Sequence, residues 1–500
     1  MSRILMRSRV YRCRGPLARG IRKVAPFLFL AASACTASSR ELQSQSSRVT
    51  TGTAPINVRE LEQLVDSVIG LGMTAEHIPG AAFVLVRDGR IVLSKGYGFA
   101  DREANRRVLP DSTVWPFASI TKVITATAVA QLAERGKLDL NANVNRYLRA
   151  LQVPATYAQP VTTAQLLTHT AGFDELRGRL TSSASEIRPL GEFLRGKLIR
   201  VHPPRTMTSY SSFGMALAGL VLEDVSGLSF DEYLKRNIFE PLGMRSARIM
   251  SRPGTEKGLA AGYEYGDSVV RRVPYEWYHS APSSSFAATA TDMAAFMIAQ
   301  LEGGELNGTR IMGKHAMRDM QTQHVTMHPL IPGWGYGWQI RDNNGQRVLE
   351  HGGDIGGFSS LVTLLPDART GFLVVGHREG ANLRFVVKQA VLDRYFPDQR
   401  IIAAPKPDSG NAARVAAFAG TYRANVYCHT CPDSLSFTQD FNVTANADGT
   451  LGAFDGRWVE VAPLFFRNTS AQGRFGLAAD STGRITALTV GSWQVLEKIR

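Results

Sequence analysis

The sequence predicts an α+β domain followed by a small all-β module. Three observations favour this fold class. A β-hairpin pattern opens the globular part, several apolar helical segments follow, and strand patterns return later in the chain. That order is typical of an α+β fold rather than of an alternating βαβ sheet. After residue 413 the pattern changes to short alternating strands, separated by turn dipeptides such as Asp448-Gly449 and Asp455-Gly456.

The composition is that of a globular protein. The chain has 500 residues, of which 44% are hydrophobic and 20% charged, and this balance excludes a wholly disordered chain, a collagen and a coiled coil. Four cysteines exclude a small scaffold built on disulfides. The formal net charge is +14, but residues 1–34 hold eight positive charges and no acidic residue, which leaves +6 for the rest. The charge therefore does not indicate a nucleic-acid partner, and we predict none.

Residues 1–34 have the pattern of an export signal. A basic segment precedes a short apolar run over residues 24–34 that ends in small residues before Cys35. The run is shorter than the roughly 20 apolar residues of a membrane-spanning helix. Ala32-Ser33-Ala34-Cys35 resembles a bacterial lipobox, in which the cysteine is acylated after cleavage. We therefore expect an exported protein, periplasmic or anchored to the envelope through Cys35, with a secreted soluble protein and an uncleaved anchor as alternatives.

The mature chain is predicted to contain two modules. Residues 35–55 are polar and rich in Ser and Thr, which indicates a flexible tether. Residues 56–402 form the mixed domain, residues 403–413 a linker containing Pro and Ser, and residues 414–500 the all-β module, a small barrel or curved sheet.

The mixed domain is predicted to open with a hairpin over residues 79–101, with Asp88-Gly89 as its turn. Helices and then strands follow in chain order: helices over residues 121–135, 213–226, 229–238 and 291–301, and strands over residues 336–340, 359–365 and 371–375. Ser229 and Glu232 are predicted to form a capping box at the start of the third helix.

Ser119 and Lys122 form the first chemical motif. They lie three residues apart at the start of a predicted helix, so their side chains share one face, with Cβ atoms about 5–6 Å apart. A serine hydroxyl becomes a good nucleophile when a base takes its proton, and a lysine can be that base if its pKa is lowered. Taken alone, the pair favours a helix cap beside a solvated lysine over a catalytic pair.

Two further segments can contribute to such a centre. Tyr210-Ser211-Ser212 precedes an apolar helix, where the tyrosine could relay a proton; alternatively, one serine caps the helix and Tyr210 merely packs. His351-Gly352-Gly353 precedes a strand, where glycines allow a substrate to approach and backbone N–H groups can stabilise an oxyanion. The alternative for this segment is a Gly-rich turn with a surface histidine.

Together and in this order, the three segments resemble the penicillin-recognising serine hydrolases, a superfamily of class C β-lactamases, D-alanyl-D-alanine carboxypeptidases, D-aminopeptidases and related esterases. The resemblance covers residues 56–395 and includes the segment Leu-Leu-Thr-His-Thr-Ala-Gly-Phe over residues 166–173. It implies an antiparallel sheet with helices on both faces and a helical subdomain, with the site between them. Residues 414–500 resemble the β-domain often appended to these hydrolases.

The resemblance also implies residue roles. Ser119 is implied to be the acylated nucleophile, Lys122 its general base and Tyr210 the proton relay. The backbone N–H groups of Ser119 and Asp354 are implied to form the oxyanion hole. The expected activity is that of a serine hydrolase working through an acyl-enzyme on a small-molecule or peptide substrate. A non-catalytic sensor or binding protein on the same fold is the alternative.

Departures from the family pattern bear on the substrate. Ser212 stands where β-lactamases and carboxypeptidases usually have Asn, His351 where they have Lys, and Gly352 where they have Thr or Ser. His351 and Gly353 are implied to line the strand edge where substrate lies, and a neutral imidazole without a neighbouring hydroxyl would bind a carboxylate weakly. We therefore expect small esters, amides or D-amino-acid peptides as substrates, with a β-lactamase or penicillin-binding carboxypeptidase as the alternative.

The remaining candidates are assigned structural roles. His169 is expected to make a structural hydrogen bond. The segment from Cys428 to Cys431 could bind a metal or be redox-active, but a single C-x-x-C without a second ligand pair is weak evidence for zinc, and outside the cytosol a local disulfide is favoured. The motifs require no cofactor and no metal, and nothing in the sequence determines the oligomeric state.

Overall fold

The computed structural model describes residues 56–176, 178–432, 438–470 and 473–499. The predicted leader and tether, including Cys35, lie outside these ranges. The described residues belong to one compact unit. Within them, no single helix is long and apolar enough to cross a membrane, and Ser212–Ser226 with Phe230–Phe239 meet that length and composition only as a pair, bent by 77°.

The α-helices of the described residues are, in chain order, α1 (Val58–Glu76), α2 (Thr121–Glu134), α3 (Thr163–Leu167), α4 (Leu190–Leu194), α5 (Ser212–Ser226), α6 (Phe230–Leu234), α7 (Ala281–Ser284), α8 (Ala290–Leu301), α9 (Lys314–Gln321), α10 (Leu383–Tyr395) and α11 (Ala412–Ala416). The strands before α11 are β1 (Gly80–Arg87), β2 (Arg90–Asp101), β3 (Arg106–Arg107), β4 (Trp115–Pro116), β5 (Leu180–Thr181), β6 (Arg248–Ile249), β7 (Gly262–Gly266), β8 (Val269–Val273), β9 (Trp277–Tyr278), β10 (Phe286–Ala288), β11 (Glu305–Leu306), β12 (Thr309–Arg310), β13 (Gln339–Asn343), β14 (Gln346–Ile355), β15 (Phe358–Leu365) and β16 (Thr370–His377). The later strands are β17 (Gly420–Ala424), β18 (Asp440–Ala445), β19 (Leu451–Ala453), β20 (Gly456–Ala462), β21 (Phe465–Asn468), β22 (Arg474–Ala479), β23 (Ile485–Thr489) and β24 (Val495–Lys498).

A seven-stranded antiparallel sheet organises the first module, in the order β13-β14-β15-β16-β1-β2-β3. Successive side chains of a strand point to opposite faces, and in β1 the side chains on both faces are buried. Phe83 and Leu85 pack with α1 and α10, whereas Val84 and Val86 pack in the larger core that contains α2, α5 and α8. The sheet is therefore covered by helices on both faces, as the resemblance implies.

The predicted hairpin is present, and its turn explains the sequence there. Asp88 and Gly89 join β1 to β2 with φ values of 49° and 74°, the left-handed geometry that a two-residue hairpin requires. The pairing of β1 with β16 then joins the hairpin to the late strands. The α+β prediction is confirmed by this sheet and its two helical layers.

The C-terminal strands β17 to β24 form a closed antiparallel barrel. Its interior is filled by apolar side chains such as Phe466, Phe475 and Leu488. The predicted all-β module is thus a barrel, and closure removes the exposed sheet edges that an open β-module would present.

The segment His351-Gly352-Gly353 lies in the strand β14 and not in the Gly-rich turn that was its alternative. Three local predictions were wrong. Residues 336–338 precede β13 rather than belong to it. The third helix ends at Leu234 and continues as a π-helical turn, Lys235–Phe239. Its Ser229 makes no capping hydrogen bond, because the hydroxyl donates to the carboxylate of Asp231 at 2.7 Å instead.

Candidate active site

Ser119 lies in a strained turn at the start of α2. Ala118 has a φ of 48°, a left-handed conformation that is costly for a residue with a Cβ atom. The hydroxyl of Thr121 donates to the carbonyl of Ala118 at 2.5 Å and accepts from the backbone N–H of Phe286 at 2.9 Å. These contacts hold the turn against β10 and aim Ser119 out of the helix.

Lys122 lies fully buried, one helical turn below Ser119. Its Nζ is 3.1 Å from the Oγ of Ser119 and 2.9 Å from the carbonyl oxygen of Ser283. Burial lowers the pKa of Lys122 well below its usual value, and the nearby Arg179 cation lowers it further, while Glu175 opposes the change. The amine is thus placed and tuned to accept a proton from the serine hydroxyl.

Tyr210 covers the amine of Lys122, whose Nζ is 4.6 Å from the centre of the phenol ring. Burial raises the pKa of Tyr210, and an interaction with Ser119 partly offsets that rise. Burial therefore favours the neutral form of both groups. A neutral amine is a base and a neutral phenol is an acid, so Lys122 can accept a proton and Tyr210 can donate one.

His169 holds Tyr210 in place. The backbone N–H of Ser209 donates to the carbonyl of His169 at 2.8 Å, and the N–H of Ser211 donates to its Nδ1 at 3.2 Å. The two contacts flank Tyr210, whose ring is 4.5 Å from the imidazole. Burial, with Lys122 nearby, lowers the pKa of His169 well below its usual value, so the ring is neutral and Nδ1 is free to accept.

The end of β14 forms an open edge beside Ser119. Pairing with β13 stops at Glu350, so the following residues of β14 face the site. A Cβ atom on Gly353 would lie 2.2 Å from the carbonyl oxygen of Phe117, and only glycine allows this approach. Beyond it, Asp354 is held by two hydrogen bonds from the guanidinium of Arg384, at 2.6 and 2.7 Å.

The side chain of His351 lies beneath the site and is fully buried. Its Nδ1 is 2.7 Å from the carbonyl oxygen of Gly352. Burial, with Lys122 nearby, lowers the pKa of His351 to about 3, so the imidazole is neutral. The histidine is therefore neither the surface residue of the turn alternative nor a cation for a substrate carboxylate.

A cavity of about 330 Å³ opens over Ser119. From the first module it is lined by Ser119, Glu175, Arg179, Tyr210, Ser212 and Asp354, among others. Ser211 caps α5 by accepting from the N–H of Gly214 at 3.0 Å, and the N–H of Ser212 donates to the carboxylate of Glu175 at 2.7 Å. The cavity lies at the lower end of the range for small-molecule sites, about 300–1,000 Å³.

The barrel contributes the other wall of this cavity. Val426, Tyr427 and Cys428 come from the loop between β17 and β18, and Trp493 from the turn between β23 and β24. The rings of Trp493 and Tyr210 are 4.1 Å apart. In the loop, Cys428 and Cys431 are joined by a disulfide. The site is thus built from both modules.

Asp174 fastens the barrel loop to the first module. Its buried carboxylate accepts the backbone N–H groups of His429 at 2.8 Å and Thr430 at 3.0 Å, and the Thr430 hydroxyl at 2.7 Å. Burial raises the pKa of Asp174, but the hydrogen bonds from His429 and Thr430 outweigh it and lower the pKa overall. Asp174 adjoins Glu175, so the docking point lies directly behind the cavity wall.

Residues 65–394 match the Beta-lactamase family model. The chain belongs to the β-lactamase family. Protein flp of Staphylococcus aureus strain MW2 is 25% identical over 322 residues, which cover 63% of this chain and 63% of flp. The matched region therefore spans less than two thirds of that relative. Penicillin-binding protein 4 of Amycolatopsis lactamdurans is 29% identical over 321 residues, covering 59% of this chain and 79% of the relative.

A solved structure has a fold similar to that of this β-lactamase family member. The octameric penicillin-binding protein homologue from Pyrococcus abyssi superposes with a TM-score of 0.59 at 23% identity, covering 88% of this chain and 100% of that one. The family match ends at residue 394, so coverage of this extent includes part of the barrel. The predicted relationship to penicillin-recognising serine hydrolases is confirmed at the level of family and fold.

The structure brings together Ser119, Lys122, Tyr210, Ser212 and Asp354 around one cavity. It places His351 below the cavity rather than in its wall. Sequence reasoning missed Glu175, Arg179 and the wall supplied by the barrel. Glu175 directly follows the recognisable segment over residues 166–173 and the docking residue Asp174, which is a signal that could have indicated it. No local pattern points from Trp493 to Ser119.

Proposed function

We propose that the protein is a serine hydrolase whose centre consists of Ser119, Lys122 and Tyr210, and that it works through an acyl-enzyme. The observation that carries this proposal is the 3.1 Å distance from the buried Nζ of Lys122 to the Oγ of Ser119. A base within hydrogen-bonding reach of a serine at a helix start is the arrangement that nucleophilic catalysis requires.

The proposed acylation begins with attack on the substrate carbonyl carbon. As the bond from Oγ of Ser119 forms, Lys122 accepts the hydroxyl proton and the carbonyl electron pair moves to oxygen. The N–H groups of Ser119 and Asp354 stabilise that oxyanion, with the helix dipole of α2 adding positive potential. The carbonyl reforms as the bond to the leaving group breaks. Tyr210 gives its proton to the leaving group and regains one from Lys122.

Deacylation uses the same groups in reverse. A water molecule loses a proton to the Tyr210–Lys122 pair and attacks the acyl carbon. The ester bond to Ser119 breaks, the serine oxygen takes back a proton, and the carboxylic acid leaves. Each turnover thus consumes one water and returns the centre to its neutral resting form.

We propose small esters, amides or short D-amino-acid peptides as the substrates. The cavity volume of about 330 Å³ favours a small acyl group. Arg179 and Glu175 pair in the cavity with 3.5 Å between Nε and Oε1, and this pair could orient a polar or zwitterionic substrate. The neutral His351 and Gly352 supply no cation or hydroxyl for a β-lactam carboxylate, which supports poor β-lactamase activity.

Active-site labelling tests the nucleophile. A fluorophosphonate probe is expected to label wild type and not Ser119→Ala, while the exposed-serine control Ser112→Ala labels like wild type. Labelling that persists at the same cavity in Ser119→Ala would overturn the assignment. Absence of labelling and of ester turnover in the wild type would favour a sensor or binding protein.

A substrate panel tests the class. Nitrocefin, a short-chain nitrophenyl ester and a D-aminoacyl amide are compared at equal enzyme concentration, and we expect turnover of the ester or the amide to exceed that of nitrocefin. A nitrocefin rate typical of a β-lactamase would contradict the inference that His351 and Ser212 disfavour β-lactam hydrolysis.

We also propose export through the leader at residues 1–34 and lipid attachment at Cys35. The basic and apolar pattern of the leader supports this proposal, and the Cys428–Cys431 disulfide fits an oxidising compartment. Fractionation with mass spectrometry of the mature N-terminus tests it. We expect the wild type to be acylated and bound to the membrane, and the Cys35→Ala variant to be soluble. An unmodified Cys35 in the mature protein would exclude lipidation.

A further inference from the structure

Three potential metal ligands converge where the barrel meets the first module. They are a ring nitrogen of His202, a ring nitrogen of His429 and a carboxylate oxygen of Glu497, and these atoms all lie within 4.8 Å of one another. The Nε2 of His429 is 4.0 Å from Oε2 of Glu497, and the two imidazole centres are 5.2 Å apart. The three residues come from separate parts of the chain, so no local sequence motif marks them.

Both histidines have a buried ring nitrogen without a hydrogen-bond partner among the described residues. These nitrogens are the Nε2 atoms of His202 and of His429. The side chain of His202 is only 9% exposed. Buried polar atoms are normally hydrogen-bonded, and an exception calls for an unseen ion or water. Here both exceptions belong to histidines of the same three-residue cluster.

The surroundings of His429 leave Nε2 free to bind a metal. Its Nδ1 is 3.3 Å from Oδ1 of Asp174 and 3.1 Å from the carbonyl oxygen of Tyr427. Because both neighbours are acceptors, the ring proton lies on Nδ1 and the lone pair on Nε2. A histidine that donates one N–H to a carboxylate while its other nitrogen binds a metal is the usual arrangement in zinc proteins.

The backbone holds the ligands in place. The N–H of His202 donates to the carbonyl of Gly172 at 3.3 Å, and a Cβ atom on Gly172 would lie 2.0 Å from the carbonyl oxygen of His202. Asp174 fixes the loop that carries His429, and Glu497 lies on β24, paired with Arg423 of β17. The side chain of Glu497 is 29% exposed, which leaves a path from solvent.

We propose that His202, His429 and Glu497 bind a zinc ion that joins the barrel to the first module. Two imidazole nitrogens and one carboxylate oxygen suit Zn²⁺, with water as a fourth ligand. Bond lengths of about 2.0–2.2 Å put tetrahedral ligands roughly 3.4 Å apart, so small side-chain movements would close the site. The ion would lie behind the loop that lines the cavity, and this proposal does not depend on the proposed serine chemistry.

Metal binding to the full mature chain tests the proposal. The protein is prepared without a histidine tag and with its disulfide intact, stripped with a chelator and titrated with Zn²⁺ by calorimetry, and retained metal is measured by mass spectrometry. We expect one equivalent per chain and a rise in the thermal midpoint with zinc, since a ligand that binds the folded state stabilises it.

The variants His202→Ala and Glu497→Gln are each expected to weaken zinc binding about tenfold or more and to lose the shift in midpoint. His315→Ala, which changes an exposed histidine elsewhere, is the matched control and is expected to bind like wild type. Replacement of Zn²⁺ by Co²⁺ provides an absorption spectrum that reports tetrahedral coordination. The proposal is overturned if the wild type binds no stoichiometric zinc, or if both site variants bind zinc with the affinity of the wild type.

Discussion

The indole ring of Trp493 packs against the phenol ring of Tyr210, with centroids 4.1 Å apart and planes inclined by 58°. One residue belongs to the barrel and the other to the candidate catalytic centre. The barrel is therefore part of the cavity wall, and its side chains are expected to influence which substrates are accepted.

Trp493→Ala is expected to widen the substrate range. Removal of the indole enlarges the cavity, and each additional buried CH₂ of a longer acyl chain is worth about 0.8 kcal/mol, close to a fourfold gain in kcat/KM. We expect the ratio of octanoyl to acetyl nitrophenyl ester turnover to rise roughly tenfold or more, measured as kcat/KM. Phe454→Ala, a barrel aromatic of similar exposure away from the cavity, should leave the ratio unchanged. If Trp493→Ala and wild type show the same dependence of kcat/KM on acyl-chain length, the barrel wall does not select substrates by the length of their acyl chain.

Lys122→Arg is expected to reduce kcat by about 10²–10⁴, the usual contribution of a general base. Arginine is positively charged but does not lose its proton in proteins, so it cannot act as the base in place of lysine. The kcat of Lys122→Ala is expected to fall by a similar factor. Steady-state kinetics on the ester give the comparison, and near-normal kcat in Lys122→Arg would rule out the base role.

The pH profile provides a second test of Lys122. The amine must be uncharged to accept a proton, so activity is lost as the pH falls through its pKa and is retained above it. Since burial lowers the pKa of Lys122, we expect kcat/KM to reach its plateau well below pH 10. If kcat/KM instead continues to rise up to the ordinary lysine pKa of about 10.4, the pKa of Lys122 is not lowered.

His169→Ala is expected to lower kcat about tenfold or more while changing KM little, because Tyr210 loses the contacts that position it. A buried N–H left without a partner, that of Ser211, costs about 1–3 kcal/mol of stability. His169→Asn can still accept with its amide oxygen, so it should restore part of kcat. A purely structural role would appear instead as equal loss of stability in both variants with kcat preserved per folded molecule. His324→Ala, outside the cavity lining, serves as the control.

Asp174→Ala is expected to destabilise the protein by about 3–5 kcal/mol at pH 7, the usual cost of losing one partner of a buried charged contact. The pKa of Asp174 is lowered in the folded protein, so its contribution is present above the unfolded pKa of about 3.9 and is lost as the pH falls through the folded value. The difference from wild type should therefore shrink in acid. Chemical denaturation at pH 7 and in acid, both in the presence of a chelator, measures the difference in unfolding free energy between Asp174→Ala and wild type. The exposed Asp111→Ala is the control. A difference that stays constant between the two pH values would show that the carboxylate charge is not involved.

The sequence predicted the sheet-and-helix architecture because its determinants are local. The turn at Asp88-Gly89 and the apolar runs that form α2 and α5 can be recognised within a few residues. The proximity of Ser119 and Lys122 is also recognisable locally, because the two residues lie three apart at the start of a helix.

The remaining site features depend on contacts between distant segments. The strand at Gly353 is formed by pairing with β15, and its glycine is required by the close approach of Phe117. Both contacts join distant segments, so in the sequence the glycines resemble a turn. His351 is buried because Tyr210 and Trp334 pack around it, although histidine is often exposed. Glu175 and Trp493 become cavity residues only when the barrel docks, and no periodicity records that docking.

The composite wall has a consequence for biosynthesis. Ser119 is translated early, whereas Tyr427 and Trp493 emerge from the ribosome near the end of the chain. A nascent polypeptide that ends before Tyr427 lacks one side of the cavity. The complete cavity can therefore form only after synthesis is almost finished, and an incompletely translated chain would carry the candidate nucleophile Ser119 without the wall that the barrel supplies.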